Sequence, residues 1–270
     1  MTMTHIQFKN VSKVFEMRVG GRTQVMRALN DVSFNIEPGE IVALAGPSGC
    51  GKTTALRIIM GLESATSGSV LASNKEITGC GHDRGMVFQH AELLPWKSAL
   101  ENVKFALSMK GVAKEDLDAT AMRYIELVGL SHAKDRRPHQ LSGGMKQRVG
   151  IARALAIDPD VLLMDEPFGA LDSQTRETLQ MEVLAIHERT RKTIIFVTHD
   201  IDEAVLLADR VVVMDGGQVR TVIPIDIARP RRDIRAIRAD PEFVNKRTMI
   251  WEALHDTVPA ADVDSNRRSA

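Results

Sequence analysis

Cysteine is scarce in this chain of 270 residues. The two present, Cys50 and Cys80, have neither the number nor the spacing of a disulfide framework or a zinc site, so reduced thiols are expected. Net charge is missing as well. Lys plus Arg and Asp plus Glu both count 35, so no overall basic field points to nucleic acid, and no nucleic-acid partner is expected. Apolar runs stay short. Val161–Met164 and Val211–Met214 fall far below the roughly 20 residues that span a bilayer. The start, Met1–Phe8, lacks a basic segment followed by an apolar one, so no secretory leader is expected and any membrane role must come through a partner. Internal repeats and extended low-complexity tracts are absent too. Against these absences stand 44% hydrophobic residues, enough for the core of one large domain or of a domain with an inserted lobe.

The chain is organised around Gly46-Pro47-Ser48-Gly49-Cys50-Gly51-Lys52-Thr53, which matches G-x-x-x-x-G-K-[ST] at every fixed position. Glu40–Ala45 before it is an apolar run suited to a buried strand, and Thr54–Met60 after it continues as a helix. Glycines let backbone wrap close to phosphate oxygens, and the NH groups of a helix N-terminus point at the anion. Lys52 then reaches the β and γ phosphates, and the Thr53 hydroxyl serves Mg²⁺, an ion that binds hard oxygens. A glycine-rich surface turn is the alternative reading, but the strand and helix on either side argue against it.

Upstream, Ile6–Val11 and Val32–Ile36 alternate as two half-buried antiparallel strands, with Phe15 in the loop region between them. Periodicity alone favours Phe15 as a core residue over a base-stacking one. Arg84–Gln89 reads as a short buried strand ending in an amide, which suits either a metal-bound water or a plain strand terminus. Leu94-Pro95-Trp96 has the composition of a contact surface. Helical segments near Leu100–Met109 and Leu117–Val128, divided by Gly111, suggest an inserted lobe. Ser142 can cap the next helix, and Gly143 and Gly144 leave its first NH groups open, making either a second phosphate-seeking terminus or a flexible cap.

Val161–Glu166 is an apolar strand closed by two acids. Asp165 there can hold Mg²⁺ through water, and Glu166 can polarise a water attacking the γ phosphate. Thr193–Thr198 is a further buried strand, followed by His199, which by itself is as suited to structure as to catalysis. Ser173–Arg189 and Ile201–Asp209 read as helices and Arg210–Met214 as a strand, so parallel strands with helical crossovers indicate an α/β fold. Ala228–Arg232 reads as a solvated basic linker. Pro241–Leu254 reads as a terminal helix with Phe243, Ile250 and Trp251 on its apolar side, and residues 256–270 as a frayed tail.

Together these motifs resemble the nucleotide-binding subunit of an ABC transporter, over the stretch from about Ile6 to Gly217. Gly46–Thr53 is similar to the family's Walker A loop, Gln89 to its Q-loop glutamine, Leu141–Gln147 to its signature, Asp165 and Glu166 to the end of its Walker B strand, Gly169–Asp172 to its D-loop and His199 to its switch histidine. Met145 stands where the signature often has Gln. The resemblance implies a P-loop NTPase core of ABC type with an N-terminal antiparallel β subdomain and an inserted helical subdomain (about 90–158), filling 1–228, before a C-terminal extension, 229–270. It implies ATP and Mg²⁺ as cofactors, with Gln89 joining Thr53 and Asp165 at the metal, Glu166, His199 and Gln89 as catalytic, and Phe15, Gly46–Thr53 and Thr54 at the nucleotide. It also implies a head-to-tail homodimer, in which Ser142, Gly143 and Gly144 of one copy close on the nucleotide of the other with Asp172 near the seam.

A finer resemblance, to ATPase subunits of bacterial importers for nitrate, sulfonates and taurine, rests on Leu94-Pro95-Trp96, on Glu166–Asp172 and on the Arg-Pro-Arg tail leading to Asp240–Phe243. It implies transmembrane permease subunits as partners, an external solute-binding protein acting indirectly, and a peripheral place on the cytoplasmic face of the inner membrane. Importers of thiamine-precursor pyrimidines and non-transport ABC ATPases stay open as alternatives; the single phosphate loop and the lack of sustained heptads favour transport.

Overall fold

The computed structural model of the chain describes residues 5–19 and 22–255. Met1–Thr4, half of the stretch read for a leader, and the expected frayed tail, 256–270, lie outside the described residues. A first sheet is built on a long hairpin. Strand β1 (Ile6–Val19) pairs antiparallel with β2 (Arg22–Ile36) and, on its other edge, with β4 (Ser67–Ala72), which carries the two-residue β5 (Lys75–Glu76). Period-two alternation sends Ile6, Phe8, Phe34 and Ile36 inward. Phe8 and Phe34 are cross-strand partners whose rings stack with centroids 4.4 Å apart.

Phe15 is therefore not in a loop. It lies on β1 opposite Met26 of β2. The strands continue past the alternating stretch, and register shifts after Phe8, Val11 and Lys13 put the pattern out of phase, which hid the continuation from a period-two reading.

The second sheet has the order β10-β9-β3-β8-β7-β6, formed by β3 (Ile41–Ala45), β6 (Arg84–Val87), β7 (Val161–Asp165), β8 (Thr193–Thr198), β9 (Arg210–Asp215) and β10 (Gln218–Pro224). The first five run parallel, and β10 returns antiparallel as an unexpected edge strand after the Gly216-Gly217 turn. Parallel strands covered on both faces need continuous apolar runs, as these have. Their alternate residues feed two cores. Val42, Leu44, Leu163, Ile195 and Val197 pack with α1 (Lys52–Met60) and the hairpin sheet. Ile41, Ala43, Leu162, Ile194 and Phe196 pack with the other helices.

Those helices are α2 (Ala99–Lys110), α3 (Leu117–Leu127), α4 (Gly143–Ala156), α5 (Ser173–Thr190), α6 (Ile201–Leu207), α7 (Ile234–Ala239) and α8 (Pro241–His255). Helices α2, α3 and α4 pack on one another. The chain thus has the α/β architecture expected of it, with an antiparallel sheet and a helical region.

Beyond β10 two expectations fail. Arg231 is not in a solvated linker but 2% exposed, donating to the carbonyls of Val205, Leu206, Ala208 and Ile227. The last carbonyls of a helix lack intrahelical partners, and this guanidinium supplies them for α6. Burial holds its pKa down at about 10. Phe243 and Ile250 are buried, but Trp251 is 54% exposed and stacks on His255 one turn later. The inward stripe of α8 is narrow, so position 251 falls outside it. Helix α7 was also unforeseen. Among the described residues no helix is long and apolar enough to cross a membrane.

Candidate functional site

Parallel register places the C-terminal ends of β3, β6, β7 and β8 along one edge of the sheet, and the loops that leave them carry the candidate residues. Gly46 follows β3, Gln89 comes two residues after β6, Glu166 follows β7 and His199 follows β8.

The loop from Gly46 to Gly51 is tight. A Cβ at Gly46 would meet the Met214 carbonyl oxygen at 2.1 Å, and one at Gly51 would meet that of Ala28 at 2.4 Å. Gly51 also holds φ at 103°, a left-handed conformation that other residues adopt at a cost. It caps α1 without a side chain, so the first amides of that helix stay open. Lys52, 5% exposed, donates from Nζ to the carbonyls of Gly46 and Pro47, each at 2.8 Å. The Cys50 thiol is buried beside it, and burial pushes its pKa up.

A cleft of about 270 Å³ opens on this loop. Ser48, Gly49, Gly51, Lys52, Thr53 and Thr54 form one wall, and Glu166 reaches its rim. The other wall comes from β2: Met26, Arg27 and Ala28, none of them legible as site residues in the sequence. Only the hairpin pairing reveals them. Phe15 is not among the lining residues; its ring carries the Lys13 ammonium 4.7 Å from the centroid, and its cross-strand partner Met26 is the one facing the cleft.

Thr53 Oγ1 donates to Asp165 Oδ1 at 3.0 Å, joining the phosphate loop to the end of β7. Burial raises the pKa of Asp165, opposed by that hydrogen bond. Next to it Glu166 sits at φ 44°, a left-handed turn that swings its carboxylate across the strand ends. Glu166 Oε2 accepts from Gln89 Nε2 at 3.4 Å and lies 3.5 Å from His199 Nδ1. Three side chains scattered over the sequence thus meet at one carboxylate, flanked by a hydroxyl and carboxylate pair.

The second glycine-rich helix start lies elsewhere. Ser142 Oγ accepts from Met145 N at 3.3 Å and caps α4. A Cβ on Gly144 would strike Thr175 Cγ2 at 2.3 Å, so α4 packs closely on α5. Asp172 caps α5, accepting from Thr175 N at 3.0 Å, and that backbone bond holds its carboxyl below the usual range. Ser142, Gly143 and Gly144 do not line the phosphate cleft; Gly143 borders a different cavity, of about 380 Å³, with Gln89, Gln147 and Leu171.

Two features tie the segment after Gln89 to the helices. Gln147 of α4 donates to the Phe88 carbonyl at 3.0 Å, and Arg153 donates to those of Ala91 and Glu92. Asn102, fully buried, accepts from Leu94 N at 2.8 Å and donates to the Ser98 carbonyl at 2.9 Å. These bonds present Trp96, 67% exposed, on the surface.

Residues 29–169 match the ABC transporter family model. The taurine import ATP-binding protein TauB of Roseobacter denitrificans is 44% identical over 258 residues, covering 93% of this chain and 95% of that one. The nitrate import ATP-binding protein NrtD of Synechocystis sp. is 43% identical, covering 88% and 91%. A solved dimeric ATP-binding cassette in a post-hydrolysis state, bound to ADP and Pi, aligns at a TM-score of 0.73 and 35% identity, covering 83% of this chain and all of that one. The chain belongs to the ABC transporter family and is one of its ATP-hydrolysing cassettes.

Proposed function

We propose that this chain powers uptake of a small anionic solute, of the nitrate, sulfonate or taurine class, by hydrolysing ATP against a membrane permease. The observation that carries the hydrolytic part is the Glu166 carboxylate set between Gln89 and His199 while Asp165 is bonded to Thr53 of the phosphate loop. The solute class is supported by the taurine and nitrate import relatives.

ATP enters the cleft with its phosphates on the open amides of α1. Lys52 exchanges the carbonyls of Gly46 and Pro47 for β and γ phosphate oxygens. Glu166 takes the proton of the attacking water, and Gln89 and His199 hold that carboxylate and the γ-phosphate side in place. Thr53 and Asp165 present two hard oxygens 3.0 Å apart, a donor set that fits Mg²⁺, with Gln89 as a third oxygen source. The ion, when bound, neutralises charge on the phosphate oxygens. Met26, the cross-strand partner of Phe15, lines the cleft and receives the base from the hairpin side.

A second copy, head to tail, supplies Ser142, Gly143 and Gly144 to the γ phosphate, with Asp172 at the seam. Closure then depends on ATP and reopening on hydrolysis. The permease docks on Leu94, Pro95 and Trp96, which puts the chain on the cytoplasmic face of the membrane; a solute-binding protein on the far side selects the cargo.

The complex purified from membranes tests this reading. A permease and a solute-binding protein should copurify, and ATPase should rise severalfold with taurine, an alkanesulfonate or nitrate. Replacing Leu94 and Trp96 with Ala should release the permease while leaving the chain folded, because large apolar anchors carry much of such an interface. Assembly and solute-stimulated ATPase at wild-type levels in that double variant would refute the docking surface.

A further inference from the structure

Behind the Glu166 carboxylate lies a cavity of about 30 Å³, bordered also by Arg176, His199, Asp200 and Glu203. It has room for about one or two waters, so its walls hold one another rather than a substrate. Arg176, on the first turn of α5, is the cation among them. Its Nη2 donates to the Leu171 carbonyl at 3.1 Å, Nη1 lies 3.6 Å from Asp200 Oδ2, and Nε lies 3.9 Å from Glu203 Oε1.

Each partner leads to a residue of the site. Leu171 precedes Asp172. Asp200 follows His199 and spends Oδ1 on capping α6, accepting from Asp202 N and Glu203 N, so Oδ2 is the oxygen turned to Arg176. Glu203, 6% exposed, accepts from Thr198 Oγ1 at 2.7 Å, and Thr198 Oγ1 in turn accepts from Asp200 N at 3.0 Å. His199 is thereby fixed on both sides by neighbours that join one network, and that network meets Arg176.

We infer that Arg176 is a positioning residue that locks the Leu171–Asp172 segment to the His199 loop and so keeps His199 Nδ1 beside Glu166. The inference rests on the reading of Glu166 and His199 as hydrolytic machinery. The Arg176–Asp200 pair is about one-third exposed on each side, so it adds little stability as an ion pair. Its value is geometric. A planar guanidinium reaches a carbonyl and a carboxylate in different directions at once, whereas a lysine ammonium is a single point of charge. Because the segment next to Asp172 and the histidine share one clamp, displacement of either is felt by the other.

The test is steady-state ATPase of the full-length chain carrying Arg176→Gln, Arg176→Lys, Asp200→Asn or His199→Ala, and of the doubles with His199→Ala. Arg176→Gln should lower kcat about tenfold, with KM for ATP within about twofold, as expected for misplacement rather than lost binding. Arg176→Lys should recover part of the loss. Asp200→Asn, which keeps a capping oxygen for α6, should cost about threefold and serves alone if Arg176→Gln does not fold. Neither change should lower kcat further once His199 is Ala. Losses that multiply in the doubles, or a raised KM with unchanged kcat, would overturn the clamp while leaving His199 in its role. A His199→Ala chain with wild-type kcat would remove the histidine from the proposed mechanism, and the clamp with it.

Discussion

Helices α1 and α4 both start at glycine-rich turns, yet their first amides are furnished differently. Gly51 brings no side chain to the start of α1, and the same cleft holds Lys52 and, through Thr53, the Asp165 carboxylate. Ser142 occupies one amide of α4 with its own hydroxyl, and the cleft of the phosphate loop does not reach it. A helix terminus attracts anions through its amides and dipole, but tight binding of a triphosphate also needs a cation and a route to a metal. The α1 terminus has both within its own chain. The α4 terminus, capped by its own serine, lies outside that cleft, and in the proposed head-to-tail pair it is completed by another chain's nucleotide.

The comparison is broken most forcefully at the α1 end. Glu166→Gln should lower kcat by about 100- to 10,000-fold, because the amide keeps the shape without accepting a proton, while ATP binding persists. Lys52→Ala should weaken binding itself, so equilibrium nucleotide binding by the two variants separates the roles. Wild-type turnover in Glu166→Gln protein free of contaminating ATPase would take the carboxylate out of the chemistry.

At the α4 end the expected loss is smaller, since no proton acceptor is removed. Ser142→Arg should reduce hydrolysis at least tenfold, with ATP binding by the dilute chain within about twofold. Geometry is the sharper readout. In a Glu166→Gln chain with Cys50 and Cys80 replaced, Ser48→Cys and Ser142→Cys should crosslink between copies in ATP. Crosslinks confined to single chains would mean that α4 does not complete a neighbour's site.

The opposite pole of a helix offers the gentlest test. Arg231 satisfies carbonyls at the C-terminal end of α6, and Arg231→Met should cost about 3 kcal/mol in urea unfolding by leaving them unpaired, with ATP binding unchanged. A loss under about 0.5 kcal/mol would mean that water replaces the guanidinium freely.

What could be read directly from the sequence was what depends on near neighbours. Gly46–Thr53 between an apolar strand and a helix, Ser142 as a cap and Val161–Asp165 as a buried strand are local arrangements, governed by backbone sterics, capping and periodicity within a few residues. The α/β class followed from the alternation of such elements. Packing decided the rest. Gln89 and Glu166 are 77 positions apart and meet only because β6 and β7 lie side by side in parallel register. Phe15 left the expected loop for a strand, and Met26 came to the cleft, because the hairpin shifts register where alternation fails. Arg231 read as solvated because a charge run without its tertiary partners looks like surface; five hydrogen bonds to backbone carbonyls more than twenty residues away or one turn back make burial tolerable. Trp251 read as core because apolar character does not say which side of a helix meets a neighbour; the contact of α8 with α6, β9 and β10 does.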